Sequence, residues 1–229
     1  MAKILFVLTG ADHWTLNDGT KHPTGFWAEE FAAPYEAFTE AGHDVVIASP
    51  GAVQPPVDRA SLSADANGGQ EAADRVAAIL DDATELKNPI DLATVNPADY
   101  DAVFYPGGHG PMEDLAVNTD SARVLTETLG SGKPLAIVCH GPAALLATAQ
   151  GGESPFRGYA LTAFTNSEEI QAGLADKAPW LLQDRLDELG VTFDEGTPWS
   201  PNVVVDRNLH TGQNPASSAP LAQRVLKAL

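Results

Sequence analysis

The chain alternates between two patterns of hydrophobic and polar positions. Short apolar runs that end in Gly, Pro or polar residues predict buried strands. These runs lie at residues 3–8, 44–48, 102–105, 135–138 and 159–164. Apolar side chains at helical spacing predict helices at residues 26–41, 71–80, 121–129, 141–149 and 179–189. Such an alternation favours an α/β fold, in which helices cover both faces of a mostly parallel sheet.

The last part of the chain predicts a hairpin and a closing helix. Residues 203–206 and 209–211 are two short runs on either side of two polar residues, a pattern typical of a hairpin. Asn214 is a suitable helix cap and is followed by a proline, which suits the first helical turn. We therefore expect a helix over residues 214–229.

Two long segments predict loops. Residues 12–25 are polar and rich in Gly, Asp and His, and residues 49–69 contain several prolines and small polar residues. A long ordered loop in a compact domain is often functional. Pro34 lies inside the first predicted helix and should kink it or shift its start. The chain shows neither an internal repeat nor a linker, so we expect one domain over residues 1–229.

Composition adds a strong negative charge. The 229 residues include 31 Asp and Glu against 13 Lys and Arg, a net charge of −18. This charge repels phosphate groups, so nucleic acid and anionic membranes are not expected partners. No apolar run approaches the roughly 20 residues of a membrane-spanning helix, and the first apolar run lacks the cleavage region of a signal peptide. We expect a cytoplasmic protein.

The only cysteine, Cys139, directly follows the predicted strand at residues 135–138 and precedes a predicted helix. Strand, sharp turn and helix are the elements of a nucleophile elbow, which lifts a reactive side chain into a cleft. A helix start there would stabilise a thiolate and a developing oxyanion. A buried structural cysteine is the other interpretation, but His140 and the Gly-Pro pair after it favour a nucleophile. A single cysteine also excludes an intrachain disulfide and a cysteine-based zinc cluster.

A second chemical candidate is the Gly-rich turn at residues 106–110, which ends the strand at residues 102–105. It should lie at the same carboxyl edge of the sheet, where open α/β sheets bind ligands. A Gly-Gly turn lets backbone N–H groups approach a substrate oxygen closely. A plain strand-ending turn, with His109 as a solvated loop residue, is the alternative interpretation.

Two pairs of adjacent glutamates are candidate proton carriers. Glu29 and Glu30 begin the first predicted helix, and Glu168 and Glu169 follow residues 164–167. One interpretation is structural: acidic residues in a first helical turn stabilise the helix through its dipole and need no other role. A carboxyl that turns into the cleft instead acquires a raised pKa, which suits acid/base work, and one at the second pair could orient His140.

Other polar and aromatic residues carry weaker signals. His13 and His22 lie in the first long loop, and two loop histidines are weak evidence for a metal, so no metal or cofactor is expected. The four tryptophans are more typical of a core or an interface than of a substrate pocket. They are Trp14, Trp27, Trp180 and Trp199.

Five segments together resemble the ThiJ/PfpI superfamily, which is similar to the class I glutamine amidotransferases. They are Thr-Gly-Phe-Trp-Ala-Glu-Glu (24–30), Pro-Gly-Gly-His-Gly (106–110), Ala-Ile-Val-Cys-His-Gly-Pro (136–142), Phe-Thr-Asn-Ser-Glu-Glu (164–169) and Thr-Gly-Gln-Asn-Pro-Ala-Ser (211–217). Within the superfamily, the sequence is most similar to the branch of glutathione-independent glyoxalases and holding chaperones. The segments follow the family order and span nearly the whole chain.

The resemblance implies a flavodoxin-like three-layer sandwich and a homodimer. It assigns the nucleophile to Cys139, its partner to His140, the carboxyl that contacts the thiol to Glu30, and the acid that orients His140 to Glu169. The choice within each glutamate pair rests on this alignment. Oxyanion and substrate-binding positions implied by the resemblance are Gly107, Gly108, His109 and Gly141.

The activity implied by the resemblance is that of a glyoxalase III-like lyase. Methylglyoxal, a small reactive aldehyde, would add to Cys139 as a hemithioacetal, and Glu30 or His140 would move the proton between its carbons before water releases lactate. Two alternatives stay open. One is a cysteine hydrolase acting on amide or peptide bonds, and the other is a stress-related holding chaperone with Cys139 as a redox sensor.

Overall fold

The structure is a computed structural model that describes residues 1–229. The strands are β1 (Lys3–Val7), β2 (His13–Thr15), β3 (Lys21–Pro23), β4 (Asp44–Ser49), β5 (Ile90–Asp91), β6 (Ala102–Tyr105), β7 (Leu135–Val138), β8 (Ala160–Leu161), β9 (Thr192–Phe193), β10 (Val203–Asp206) and β11 (Leu209–Gly212). The α-helices are α1 (Ala28–Glu40), α2 (Ala64–Asn67), α3 (Gln70–Asp82), α4 (Thr84–Lys87), α5 (Gly110–Glu113), α6 (Thr119–Ser131), α7 (Asn166–Ala172), α8 (Leu182–Leu189) and α9 (Ser218–Leu226). The 3₁₀ helices are Pro50–Ala52, Arg59–Leu62, Leu92–Thr94, Pro97–Asp99, Leu115–Val117, Gly141–Ala149 and Pro215–Ser217.

A seven-stranded sheet forms the centre of the molecule, with the strand order β10-β11-β7-β6-β1-β4-β5. Neighbouring strands are parallel except β10 and β11, which form the expected hairpin. The central strands β6 and β7 are buried at every residue, as expected for parallel strands covered on both faces. The carboxyl ends of β6 and β7 therefore lie side by side, which brings the turns that follow them together.

Helices cover the sheet on both faces, so the expected mostly parallel α/β sandwich is confirmed. On one face α1 packs against α3 and α9. On the other, α6 packs against the 3₁₀ helix Gly141–Ala149. None of the helices is long and apolar enough to span a bilayer.

An aromatic cluster in the core fixes α1 to the sheet. Phe6 of β1 stacks on Phe104 of β6 at 5.0 Å between ring centroids. Phe31 and Phe38 of α1 both meet Phe6 edge-on, at 5.6 and 5.9 Å. Because Phe31 follows Glu30 in the chain, this packing also sets the position of the Glu30 carboxyl.

Some local predictions were wrong. The expected loop at residues 12–25 contains the antiparallel hairpin of β2 and β3, whose three-residue strands are too short and polar to give an alternating pattern. The expected loop at residues 49–69 contains short helical turns. The expected strand at residues 159–164 is ordered as a strand only over Ala160–Leu161.

Two helix predictions also need correction. The helix after Cys139 is a 3₁₀ helix, buried where it packs against β7 and α6. The last predicted helix begins with the 3₁₀ turn Pro215–Ser217, capped by Asn214, before α9 starts. By contrast, α1 continues through Pro34 as one helix.

Candidate active site

Cys139 occupies a sharp turn between β7 and the 3₁₀ helix Gly141–Ala149. Its backbone φ is 60°, a left-handed conformation that costs a residue with a side chain about 1–3 kcal/mol. The turn is held from both sides, because the Cys139 N–H donates to the Gly212 carbonyl and the Phe164 N–H donates to the Cys139 carbonyl, each at 2.9 Å. The residue is 3% exposed. This strained, well-supported geometry is that of the expected nucleophile elbow.

His140 connects the sulfur to a carboxylate. Its Nδ1 lies 3.3 Å from the Cys139 Sγ, and its Nε2 lies 2.7 Å from Oε2 of Glu169. Since a carboxylate only accepts hydrogen bonds, Nε2 carries the proton of the neutral ring. Nδ1 is then the acceptor that faces the thiol.

Glu169 binds a second histidine through its other oxygen. The His109 Nε2 lies 2.9 Å from Glu169 Oε1, and all three side chains are buried. The His109 ring stacks on Trp14 at 5.1 Å with an interplanar angle of 16°, and its centroid lies 4.0 Å from that of His140. His109 is therefore a buried member of the site, not a solvated loop residue.

The pKa values of Glu169 and His140 are both lowered, but for different reasons. Burial by itself would raise the pKa of Glu169, but attraction to His140 in its protonated form and hydrogen bonds from both histidines outweigh it and hold the pKa below its usual range. Burial, followed by repulsion from His109, lowers the pKa of His140 to about 4, against the opposing effect of Glu169. At neutral pH the site therefore holds an ionised Glu169 and a neutral His140.

Glu30 lies on the other side of the thiol and is fully buried. Its Oε2 accepts the Gly107 N–H at 2.7 Å, while its Oε1 is buried with no hydrogen-bond partner. Burial raises the pKa of Glu30 to about 8, although the Cys139 thiol and the Gly107 N–H oppose the shift. Burial, and then the Glu30 charge, raise the pKa of Cys139 well above its usual value. A carboxyl with a pKa of about 8 thus neighbours the Cys139 thiol.

The structure places one glutamate of each pair at the thiol-histidine cluster. Glu29 is half-buried, with a pKa that burial raises and Arg75 opposes, and it makes no contact with Cys139. Glu168 is buried, but its oxygens accept hydrogen bonds from the Thr165 N–H and hydroxyl, the Trp199 N–H and the Asn214 amide. Glu168 therefore caps α7 and ties loops together.

The Gly-rich turn after β6 packs directly against the elbow. A Cβ on Gly107 would lie 2.6 Å from the backbone nitrogen of His140. A Cβ on Gly108, whose φ is +88°, would lie 2.4 Å from the carbonyl oxygen of Gly25. We expected the Gly107 N–H to bind substrate, but this prediction was wrong, because the N–H donates to Glu30 instead. The Gly108 backbone opposes the rise of the Cys139 pKa.

Gly141 has a packing reason of its own. A Cβ there would lie 2.9 Å from both Ile137 Cγ2 and the Tyr105 carbonyl oxygen. The absence of a side chain lets the 3₁₀ helix start against the sheet directly after the elbow. A substrate contact by Gly141 stays a prediction.

A small cavity of about 80 Å³ lies over Cys139, walled mainly by Trp27, Phe164 and Trp199. A larger cavity of about 760 Å³ adjoins it, sharing Trp27 and His109 as lining residues. Our expectation that the tryptophans serve the core or an interface was wrong for these two pocket residues. Trp27 stands two residues before Glu29, a signal that could have placed it at the site, whereas nothing in the pattern around Trp199 marks it.

Residues that could hold a metal ion are His109, His140 and Glu169, whose donor atoms lie within 4.8 Å of one another. They already satisfy each other by hydrogen bonds. Of the two loop histidines, His13 contacts Asp12 and Glu113. His22 lines the larger cavity, and burial lowers its pKa.

Known proteins are similar to this chain over most of its length. The model of the DJ-1/PfpI family matches residues 23–228. Glyoxalase 3 of Candida albicans is 30% identical over 100% of this chain and 98% of its own length. The protein/nucleic acid deglycase HchA of Pseudomonas aeruginosa is 26% identical over 99% of this chain and 80% of its own.

A solved structure gives the same result in three dimensions. The crystal structure of glyoxalase III from Candida albicans superimposes with a TM-score of 0.84 and 28% identity, covering 100% of this chain and 97% of the other. The superfamily indicated by the five sequence segments is confirmed. By the match of its sequence to the family model over residues 23–228, this chain belongs to the DJ-1/PfpI family.

Proposed function

We propose that this protein is a glutathione-independent glyoxalase, a cysteine-dependent lyase that converts methylglyoxal and water to lactate. The observation that carries the proposal is the contact between Cys139 and the buried Glu30, whose pKa is raised to about 8. Moving a proton between two carbons needs a carrier that gains and loses it near neutral pH. The similarity to Glyoxalase 3 of Candida albicans over the full chain supports the same activity.

In the first step the Cys139 sulfur attacks the aldehyde carbon, C1, and forms a hemithioacetal. The thiol proton leaves to Glu30 as the carbon–sulfur bond forms, and it passes to the C1 oxygen. The Gly108 N–H, whose backbone already lowers the pKa of the neighbouring thiol, stabilises the negative charge that develops on that oxygen.

The second step moves a proton between the carbons. The Glu30 carboxylate removes the hydrogen from C1 to give an enediolate and then delivers it to C2, while the hydroxyl proton passes from the C1 oxygen to the C2 oxygen. The product is a thioester of lactate on Cys139. The unpartnered Oε1 of Glu30 is the atom available for this transfer.

The third step is hydrolysis of the thioester. Neutral His140 accepts a proton from water at Nδ1 while Nε2 stays bound to the ionised Glu169. Water adds to C1, the carbon–sulfur bond breaks, and the proton returns to the sulfur. Lactate leaves, and the thiol is restored without any external electron donor or acceptor.

A cysteine hydrolase of amides or peptides is less well supported. Such an enzyme needs the Cys139-His140-Glu169 arrangement but has no use for a proton-carrying carboxyl on the other side of the thiol. The cavity over Cys139, about 80 Å³, is also small for a peptide, since a single water molecule occupies about 30 Å³ of liquid.

The test is methylglyoxal loss and lactate formation without glutathione. We expect turnover by the parent protein and by Glu29→Gln, the matched control for a glutamate outside the site. Cys139→Ser and Glu30→Gln should lose turnover by about a hundredfold or more, with unchanged circular dichroism. Absence of turnover in the parent, or full turnover in folded Cys139→Ser, would overturn the proposal.

A further inference from the structure

Trp199 is held in a strained position at the edge of the small cavity. It lies in the loop between β9 and β10, with a backbone φ of +61°, a conformation rare for a bulky residue. Its N–H donates to Glu168 Oε1 and its indole Nε1–H donates to Gln171 Oε1, each at 2.8 Å. Strain that surrounding contacts maintain is concentrated at functional sites.

The indole connects the protein surface to the catalytic histidine. Its ring meets Phe164 edge-on at 5.5 Å, and the Phe164 ring lies 4.3 Å from that of His140. Trp199 is 47% exposed, so one side of the ring faces solvent and the other walls the cavity over Cys139. Removing the indole would open the cavity to solvent on this side.

The cavity that Trp199 helps to close has room for a three-carbon compound. Its volume of about 80 Å³ holds a few water-sized groups, since about 10–15 Å³ of such space suffices for one water molecule. The larger cavity meets it at Trp27, His109 and Ala172. A substituent larger than methyl on C2, the ketone carbon beside the reacting aldehyde, would therefore press against Phe164 and Trp199.

We propose that Trp199 is the specificity-determining residue that limits the substrate to small 2-oxoaldehydes by closing the cavity over Cys139. The proposal deepens the glyoxalase function and rests on it for the identity of the substrate. Glycine adopts a φ of +61° without strain, so Trp199→Gly removes the ring while keeping the loop conformation. Trp199→Phe keeps an aromatic wall and serves as the conservative variant.

The first measurement is the ratio of kcat/KM for phenylglyoxal to kcat/KM for methylglyoxal. We expect this ratio to rise about tenfold or more in Trp199→Gly, to rise less in Gln171→Ala, which frees the indole N–H, and to change little in Trp199→Phe. Trp180→Gly is the control for loss of an indole elsewhere, because Trp180 packs partly buried on the core, contacts Arg185 and lines neither cavity. An unchanged ratio in folded Trp199→Gly would overturn the proposal.

A second measurement does not depend on glyoxalase activity. Cys139 is the only cysteine in the chain, so all alkylation of a thiol occurs there. At one pH, the ratio of its alkylation rates by bulky N-phenylmaleimide and by small iodoacetamide reports how far the cavity admits the larger reagent. Trp199→Gly should accelerate the bulky reagent more than the small one. If the parent consumes neither aldehyde while this selective acceleration occurs, the glyoxalase proposal fails and the size limit stands; equal acceleration of both reagents would overturn the size limit.

Discussion

The His109 Nε2 lies 2.9 Å from Glu169 Oε1, the carboxylate oxygen that His140 leaves free. The carboxylate is therefore held at both oxygens, and it cannot rotate away from His140 without breaking a second buried hydrogen bond. His109 also repels a proton from His140 and so contributes to the lowered pKa of that ring. We infer that His109 is a positioning residue that acts through Glu169.

Replacing His109 by Phe should reduce kcat about ten- to a hundredfold, the equivalent of a charge-assisted hydrogen bond of about 1.5–3 kcal/mol. Phe preserves the stacking on Trp14, so the loss should reflect the missing Nε2–H. Because His109 lowers the pKa of His140, the acid limb of the kcat profile should move to higher pH. His43→Phe, at a histidine that binds the Ala2 N–H, is the control, and an unmoved profile would contradict the positioning role.

The sequence was sufficient to predict the central strands and the elbow. Buried parallel strands are continuous apolar runs, and the two conspicuous turns follow β6 and β7, which are neighbours in the sheet. The hairpin of β2 and β3 could not be predicted in this way, because polar three-residue strands are stabilised by distant contacts. One example is the bond from the Thr15 N–H to Glu113.

The choice within each glutamate pair needed the structure. Adjacent residues on a helix point about 100° apart, so Glu29 and Glu30 have the same local pattern but only one can face the thiol. The packing of Phe31 on the sheet makes that choice. Trp199 was beyond prediction because its position depends on a loop whose conformation a buried glutamate, Glu168, maintains.

Gly108→Ala should unfold the site locally. Its Cβ would lie 2.4 Å from the Gly25 carbonyl oxygen, at a φ of +88°, so both the clash and the backbone conformation oppose it. We expect a clear fall in Tm together with loss of turnover. Gly130→Ala is the matched control, because Gly130 lies in α6 with open space around it, and alanine should stabilise the helix by about 0.5–1 kcal/mol. A Gly108→Ala variant with parental Tm would contradict the close packing.

Glu30 should make the folded protein less stable as pH rises. Its pKa is about 8 in the folded state against an ordinary 4.5, so between these values the folded state holds a proton that the unfolded state has lost. Raising the pH therefore destabilises the fold by up to about 1.4 kcal/mol per pH unit. In urea unfolding at pH 5.5 and 7.5, the stability of Glu30→Gln relative to the parent should increase with pH. A constant difference would show that the Glu30 pKa is not raised.

The substitution Glu30→Gln should also lower the pKa of the Cys139 thiol. Burial and the Glu30 charge both raise the pKa of Cys139, and Gln removes the charge while keeping the shape. The rate of iodoacetamide alkylation, measured against pH by mass spectrometry, should therefore shift to lower pH in Glu30→Gln even though turnover is lost. A shift to higher pH would show the opposite relationship, in which a protonated Glu30 stabilises the thiolate.

Exchanging each member of the second glutamate pair for Gln should separate stability from catalysis. Glu168 accepts hydrogen bonds at both oxygens from buried donors, so an amide NH₂ on either side would face a donor and cost about 1–3 kcal/mol in urea unfolding. In Glu169→Gln the negative charge that holds His140 and His109 is lost, so kcat should fall about a hundredfold with a smaller change in stability. Only the carboxylate that orients His140 has to be ionised for the hydrolysis step. Loss of turnover in folded Glu168→Gln, with Glu169→Gln fully active, would therefore show that Glu168 orients His140 and that Glu169 is structural.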